Sequence, residues 1–424
     1  MPARQYVVGL ARYLITMATI DPAHKVSWLY LDMNSFFASV EQELNPALRG
    51  RPVAVVPVKT DSTCCISVSY EGKAYGVKTG TSVRDARRLC PAMTFIVGDH
   101  ANYVRYHNKI LEAVDTCLPV EAVCSIDEIA CRLTGRHADP ALAVPLAGQV
   151  KAAIKGIAGS SLRCSIGLAP NRFLAKIAGD MRKPDGLTVI RPCDLPDILY
   201  PLPLRDIPGV GSRMELRLNA KGINTTEELL ALSPAEMRAA WGSVCGAEMW
   251  HNLRGEEVPA KIAKSRTIGH SHVLPPELRG KAGALRILKK LTDKAAGRLR
   301  REGYYASSLY VYVKFLDREG WDAHRRLEET QDTVVFITAL RGLWAGAPAG
   351  RPLAVGVVLG GLVPEAQHAP YLFDDGRRGK LLKTLDGLNA KYGKPALHYG
   401  ATHDSAGLVP LRIAFTHVPD ESEL

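Results

Sequence analysis

Three carboxylates stand where chemistry is to be expected: Asp32, which closes a short apolar run, and the neighbours Asp127 and Glu128 in Ser125-Ile126-Asp127-Glu128. A hard divalent cation such as Mg2+ takes oxygen ligands, usually one or two carboxylates with substrate phosphates filling the shell. Two such ions, roughly 3.5 to 4 Å apart, activate an attacking hydroxyl and stabilise the leaving oxygen of an in-line displacement. Phosphoryl transfer is therefore the chemistry these side chains offer. An isolated Asp-Glu pair is more often a solvated surface feature, so position decides more than type. On a regular strand Asp127 and Glu128 face opposite sides; a bend or a strand end is needed to bring both to one pocket.

The elements that must do this positioning are legible as patterns. Residues 28–33 read as a buried strand, and a helix follows that Asn34 or Ser35 can cap, with Phe36, Phe37 and Val40 along it. Residues 53–56 and 64–69 read as strands, 84–90 as a basic helix and 100–118 as a helix with Val104, Ile110, Leu111 and Val114 at helical spacing. The segment 120–133 reads as a strand pair with Asp127 and Glu128 near its bend. An alanine-rich helix at about 141–157, a strand at 162–168 and a helix at 171–181 complete an α/β or α+β core to about residue 190. Residues 191–258 are helical with Pro and Gly breaks. Beyond a basic linker at 259–267, a long helix at 282–302 joins strand-like runs at 307–315, 333–337 and 353–359. Residues 365–424 read as polar and less regular.

Composition narrows the partners. The 424 residues carry a formal charge of +11, and residues 261–300 hold eleven Lys and Arg against Glu277 and Asp293. Most of the imbalance is one block, which favours a polyanionic partner. Nine cysteines without a C-x-x-C pair give neither a zinc site nor a disulfide framework and point to a reducing, cytoplasmic setting. No run approaches the roughly 18 to 20 apolar residues of a membrane span. Residues 6–20 are apolar, but Arg12 interrupts them, so 1–25 reads as an N-terminal extension with Met17 as an alternative start.

Six segments follow one another in a fixed order: Asp32-Met33-Asn34-Ser35-Phe36-Phe37; Ser69 through Val77 (SYEGKAYGV); Ser125-Ile126-Asp127-Glu128; Asn171 through Ala178 (NRFLAKIA); Lys183-Pro184-Asp185-Gly186; and Ile207-Pro208-Gly209-Val210-Gly211. Together they resemble the Y-family translesion DNA polymerases over about residues 27–364. The core is closest to the DinB or polymerase IV branch. The tail, with Leu372-Phe373-Asp374-Asp375 and Leu385 through Lys391 (LDGLNAK), resembles the polymerase V catalytic subunit.

The resemblance implies an α+β multidomain right hand: palm at 26–36 and 99–190, fingers at 37–98, a helix-hairpin-helix thumb at 191–258, a linker at 259–267, an α/β little finger at 268–364 and a tail at 365–424. It implies a template-directed, low-fidelity polymerase that adds deoxynucleotides to a primer 3'-hydroxyl with two Mg2+ ions. Asp32, Asp127, Glu128 and the Met33 carbonyl would hold the metals. Phe37 would be the steric gate against a 2'-hydroxyl, and Ser67, Tyr70, Lys73 and Lys183 would bind the nucleotide. Lys73 stands where Arg is commoner, and a point charge cannot fork onto phosphate as guanidinium does. Asn34 replaces a common Asp at a position that is not a principal ligand. Lys176 is expected to support the fold or the DNA backbone.

Primer-template DNA would be gripped at Gly209 and Gly211, where backbone N–H groups approach a phosphate, and at Lys264 and Arg266. Phosphate contacts give affinity without sequence information and weaken with salt. Gln367 through Phe373, with Leu372 and Phe373, approximates a sliding-clamp peptide with one residue too many. The implied protein is a monomer, cytoplasmic and nucleoid-associated, with no membrane contact. Two alternatives stand beside it: a non-catalytic damage-response or clamp adaptor on the same fold, and a palm-type nucleotidyl cyclase.

Overall fold

A computed structural model describes residues 21–259, 267–369, 376–392, 396–405 and 418. The chain divides into two compact units: one holds the described residues of Met1–Arg49 and Asn102–Ala260, the other those of Gly50–Ala101 and Lys261–Ala414. In chain order the elements are β1 (Trp28–Met33), α1 (Phe36–Leu44), β2 (Val53–Val56), β3 (Ser67–Val68), α2 (Tyr70–Lys73), α3 (Val83–Leu89), β4 (Thr94–Val97), α4 (His100–Asp115), β5 (Ala122–Val123) and β6 (Glu128–Arg132). They continue with α5 (Pro140–Ile157), β7 (Cys164–Ala169), α6 (Arg172–Met181), β8 (Leu187–Val189), α7 (Ser212–Asn219), α8 (Thr226–Leu230), α9 (Pro234–Trp241) and α10 (Cys245–Leu253). Last come β9 (Thr267–Val273), α11 (Lys281–Arg301), β10 (Tyr304–Phe315), β11 (Trp321–Thr330), α12 (Thr333–Ala345), β12 (Pro352–Pro364) and α13 (Arg377–Tyr392).

In the first unit a five-stranded sheet runs β5-β6-β1-β7-β8. β1 lies between β6 and β7, antiparallel to both, and is buried along nearly its whole length. That central place explains why its sequence is a continuous apolar run rather than an alternation. Helix α6 comes closest to β7 at Gly167, where a Cβ would lie 2.0 Å from the Ala175 carbonyl oxygen and 2.4 Å from the Gly179 nitrogen. The short helices α7 to α10 start on strong local signals. Thr225 with Glu228 and Ser233 with Glu236 form capping boxes. Leu218, Leu229, Met237 and Leu253 from these helices join Trp28 and Tyr30 of β1 and Leu174 and Ile177 of α6 in one buried cluster.

In the second unit a three-stranded sheet, β3-β2-β4, packs Ala54, Val56, Val68 and Phe95 against Val83 and Ala86 of α3. A four-stranded antiparallel sheet runs β11-β10-β12-β9. Leu309, Val311 and Val313 alternate inward along β10 and meet Ile287, Leu288 and Leu291 of α11 and Phe336 and Leu340 of α12.

Several expectations need correction. The β-branched run at 333–337 is not a strand but the start of α12, which Asp332 caps by accepting from the Val334 N–H at 2.8 Å. Residues 321–330 form an edge strand, hidden in the sequence because WDAHRRLEET faces solvent along most of its length. The tail is more regular than its composition implies. Helix α13 is tied to α11 by Arg300, whose Nη2 donates to Asp386 Oδ1 at 2.8 Å, and Arg378 Nε donates to Asp332 Oδ2 at 2.8 Å. Much of the basic block is likewise engaged internally. The Arg300 side chain is nearly buried, Lys290 pairs with Asp293 and Arg298 with Glu302, and Lys281 donates to the Ala347 carbonyl.

Candidate active site

The first unit brings the three carboxylates to one end of its sheet. Asp32, next to last in β1, is the register partner of Glu128, first in β6. Directly opposed antiparallel residues share a face. Asp127 precedes β6 in a bend over residues 125–127, which resolves the difficulty of an Asp-Glu pair facing two ways. The bend is held from several sides. The Met33 N–H donates to the Asp127 carbonyl at 2.8 Å, the Ser125 hydroxyl donates to Asp127 Oδ1 at 2.6 Å, and His107 of α4 bonds through Nδ1 to the Ile126 carbonyl at 2.8 Å. A carbonyl only accepts, so Nδ1 carries the proton. Burial holds this imidazole below its ordinary pKa, against the opposing pull of the Ile126 carbonyl and Asp127.

Two lysines enter from α6 and the turn after it. Lys183 Nζ lies 2.8 Å from Asp32 Oδ1 and 2.7 Å from Asp180 Oδ1, and Lys176 pairs with Glu128. Lys176 thus touches a reacting-centre candidate directly, which its sequence context did not signal. Burial pushes the Asp32 carboxyl up to about 6, Lys183 pulling it back only in part. Burial also raises Asp127, with the Ser125 hydroxyl opposing and Glu128 adding. For Lys183 burial works against the charge, yet Asp32 and Asp180 together hold the ammonium above its ordinary value. Four carboxylates against two lysines leave two negative charges uncompensated.

Asn34 does not cap α1 as the sequence allowed. It is 4 % exposed; its Oδ1 accepts the Asp185 N–H at 2.7 Å and its Nδ2 donates to Ser165 Oγ at 3.1 Å. The turn that carries Lys183 is thereby fastened to the end of β1. Ser35 stands at the N-cap position without a capping bond, at φ 51° and ψ 45°. Left-handed backbone at a non-glycine residue costs on the order of 1–3 kcal/mol and concentrates at functional sites. Phe37 follows, half-buried, its ring stacked on Tyr103 of α4 with centroids 4.3 Å apart and planes at 17°. Tyr103 is itself held by its hydroxyl, which donates to Glu41 Oε1 at 2.7 Å.

Ser67, Tyr70 and Lys73 group together in the second unit. Ser67 is buried in β3, and Tyr70 and Lys73 are the two ends of α2, with the Lys73 ammonium 4.2 Å from the Tyr70 ring centroid. Gly209 and Gly211 lie in the first unit, in a turn before α7. Gly209 has φ 92°, which demands glycine. A cavity of about 590 Å3 opens beside this turn, lined among others by Lys176, Asp180, Arg205 and Gly211. Lys264, Arg266, Leu372 and Phe373 lie outside the described residues.

Among the described residues, no three His, Cys, Asp or Glu side chains converge as a metal cluster. Glu128 turns to Lys176, Asp127 to Ser125 and Asp32 to Lys183. The donor set nevertheless fits a hard cation: it is all oxygen, shared between adjacent strand ends, and carries excess negative charge.

The impB/mucB/samB family model matches residues 31–180, its C-terminal domain residues 265–372, and the DNA polymerase-iota thumb domain residues 205–257. DNA polymerase IV of Moorella thermoacetica is 35% identical over 396 residues, covering 90% of this chain and 98% of that protein. A Y-family DNA polymerase chimera, Dbh-Dpo4(243-245)-Dbh, superposes with a TM-score of 0.67 at 25% identity, over 80% of this chain and 99% of its own. An insertion ternary complex of Dbh DNA polymerase matches with a TM-score of 0.53 at 25% identity over the same shares.

The chain belongs to the Y family of translesion DNA polymerases. It has that family's fold, with a thumb and a C-terminal little finger, and it is a DNA-directed DNA polymerase. Its branch is that of DNA polymerase IV, the DinB kind. Polymerases of this kind use divalent metal ions. Among the described residues no helix is long and apolar enough to cross a membrane.

Proposed function

We propose that Asp32, Asp127 and Glu128, with the Met33 carbonyl, hold two Mg2+ ions and carry nucleotidyl transfer to a primer 3'-hydroxyl. The observation behind this reading is the placing of the three carboxylate residues at adjacent strand ends, where with Asp180 they outnumber the two lysines by two negative charges. When bound, Mg2+ supplies Lewis acidity for the attacking hydroxyl and charge for the departing pyrophosphate. Lys183 neutralises Asp32 in the free enzyme and turns to the triphosphate of the incoming dNTP. Ser67, Tyr70 and Lys73 bind the same phosphates, and the Phe37 ring, braced by Tyr103, excludes a 2'-hydroxyl. The domains follow the boundaries given above, with 26–36 and 99–190 as palm, 37–98 as fingers, 191–258 as thumb and 268–364 as little finger.

Primer-template DNA is the partner. Backbone N–H groups at Gly209 and Gly211 and the cations Lys264 and Arg266 hold its phosphates, and Leu372 and Phe373 make a sliding-clamp contact in a cytoplasmic, monomeric enzyme. Primer extension with Mg2+ on undamaged and lesion templates tests the core of the reading. Asp127→Ala combined with Glu128→Ala abolishes extension, and equal extension by variant and wild type would remove the assignment. Clamp pull-down with Leu372 and Phe373 changed to Ala tests the tail.

A further inference from the structure

We propose that His107 is a positioning residue of polymerisation: its imidazole fixes the backbone of the 125–127 bend and so the direction in which Asp127 presents its carboxylate. The inference rests on the reading of Asp127 as a carboxylate of the reacting centre.

His107 is 2 % exposed, an unusual place for an imidazole unless its nitrogen is needed. Its Nδ1–H donates to the Ile126 carbonyl at 2.8 Å, and Ile126 is itself buried. The neighbouring carbonyls are served by backbone: that of Asp127 accepts from the Met33 N–H at 2.8 Å, that of Glu128 from Cys124 at 2.9 Å and Ser125 at 3.2 Å. Of these three, the Ile126 carbonyl alone takes its hydrogen bond from a helix side chain. Without His107 it would be a buried acceptor with no donor, which costs about 1–3 kcal/mol or is relieved by rotation of the peptide. Rotation about residue 126 swings Asp127, the next residue, away from the Ser125 hydroxyl that holds it.

The donor comes from a well-fixed support. One turn earlier on the same helix face, Tyr103 is fully buried and stacks on Phe37. Helix α4 therefore sets the gate ring with one side chain and the catalytic bend with the next.

The test compares His107→Leu, His107→Asn and Asp127→Ala in steady-state primer extension. Asparagine places its amide nitrogen close to where Nδ1 stands and keeps the donor; leucine fills the space without one. Expected is a fall in kcat of about tenfold or more for His107→Leu, with KM for dNTP changed less than about threefold, and recovery to within about threefold of wild-type kcat in His107→Asn. Wild-type kcat in His107→Leu, or equal impairment of the asparagine and leucine variants, overturns the inference. Should His107→Leu fail to fold, His107→Gln replaces it, because its donor sits at the Nε2 position; equal kcat in the Asn and Gln variants overturns the inference as well. Full activity of Asp127→Ala instead removes the reading of Asp127 on which the inference rests.

Discussion

The ammonium of Lys183 lies 2.8 Å from Asp32 Oδ1. On the proposed reading, in which Asp32 holds Mg2+ and Lys183 meets the triphosphate, this lysine competes with the metal for the carboxylate as well as binding the nucleotide. Lys183→Ala is therefore expected to move two quantities in opposite directions: Mn2+ binds the nucleotide-free variant more tightly than wild type, while KM for dNTP rises by about tenfold or more, as for loss of one charge-assisted hydrogen bond. Calorimetry and steady-state kinetics read the two, and weaker metal binding by the variant would show that Lys183 does not compete.

Phe37 stacked on Tyr103 makes a planar wall rather than a single rotatable ring. Phe37→Ala should raise ribonucleotide incorporation relative to deoxyribonucleotide by about 10- to 200-fold, the discrimination one apolar contact supplies. Tyr103→Leu, which leaves the ring but not its support, should give a smaller rise in the same direction. Competition between labelled rNTP and dNTP measures both, and an unchanged ratio in Phe37→Ala would reject the gate.

Asn34 joins residues 131 and 151 positions away, Ser165 and Asp185. Asn34→Ala leaves the Asp185 N–H and the Ser165 hydroxyl short of a partner, with a stability loss of about 1–3 kcal/mol and a raised KM for dNTP through the Lys183 turn. Asn34→Asp keeps the acceptor and should restore most of the stability while adding a charge beside Asp32. Urea unfolding with parallel kinetics distinguishes the pair; identical behaviour of the two variants would mean that the acceptor is not what matters.

Burial pushes the Cys65 thiol up to about 11 and those of Cys131 and Cys164 up to about 12, whereas Cys64, Cys193 and Cys245 are exposed. At pH 8 a thiol reagent should modify the exposed three quickly and Cys65, Cys131 and Cys164 only on unfolding. These folded-state values exceed the ordinary one, so above about pH 9 the unfolded chain gives up protons that the folded chain retains, and stability falls as pH rises toward 12. Fast reaction of Cys131 or Cys164 in the native protein, located by mass spectrometry, would contradict the packing of the sheet.

Arg300 is nearly buried and is held by Asp386 of the C-terminal helix, with further bonds to the Gln331 carbonyl and the Thr333 hydroxyl. Asp386→Ala leaves that guanidinium charge inside the domain and should cost about 2 kcal/mol, less than the loss of a fully buried pair because Asp386 retains some solvent. Double substitution with Arg300→Met should recover part of it. Calorimetric melting of both variants checks this, and an unaltered melting temperature in Asp386→Ala would show the tail to be a passenger.

The carboxylates proposed to react stood out in the sequence because their types are rare in such places: one closes an apolar strand and two form an Asp-Glu pair at a bend. Less legible were their partners. Nothing local in the sequence tells that Lys176 meets Glu128, that Asn34 fastens the Lys183 turn, or that His107 serves the Ile126 carbonyl, since each bond spans an element boundary. The same limit misled the reading of 333–337, where β-branched residues favour a strand locally but the hydrophobic face they complete belongs to a helix over the sheet. The edge strand at 321–330 buries too little to show a period, and α13 carries Gly379 and Gly387 and buries only Leu382.

The close contact between α6 and β7 at Gly167 bears on how such a site can change over generations. Lys176 and Asp180 ride on that helix, and Lys183 follows it by two residues. A single methyl group added at 167 would lift the helix and draw both ammonium groups off their carboxylates together. The balance of charge among these side chains is thus stored as the thickness of one layer, inherited as a unit: substitutions in the surrounding loops can change their own surfaces, while this balance stays tied to the absence of one side chain.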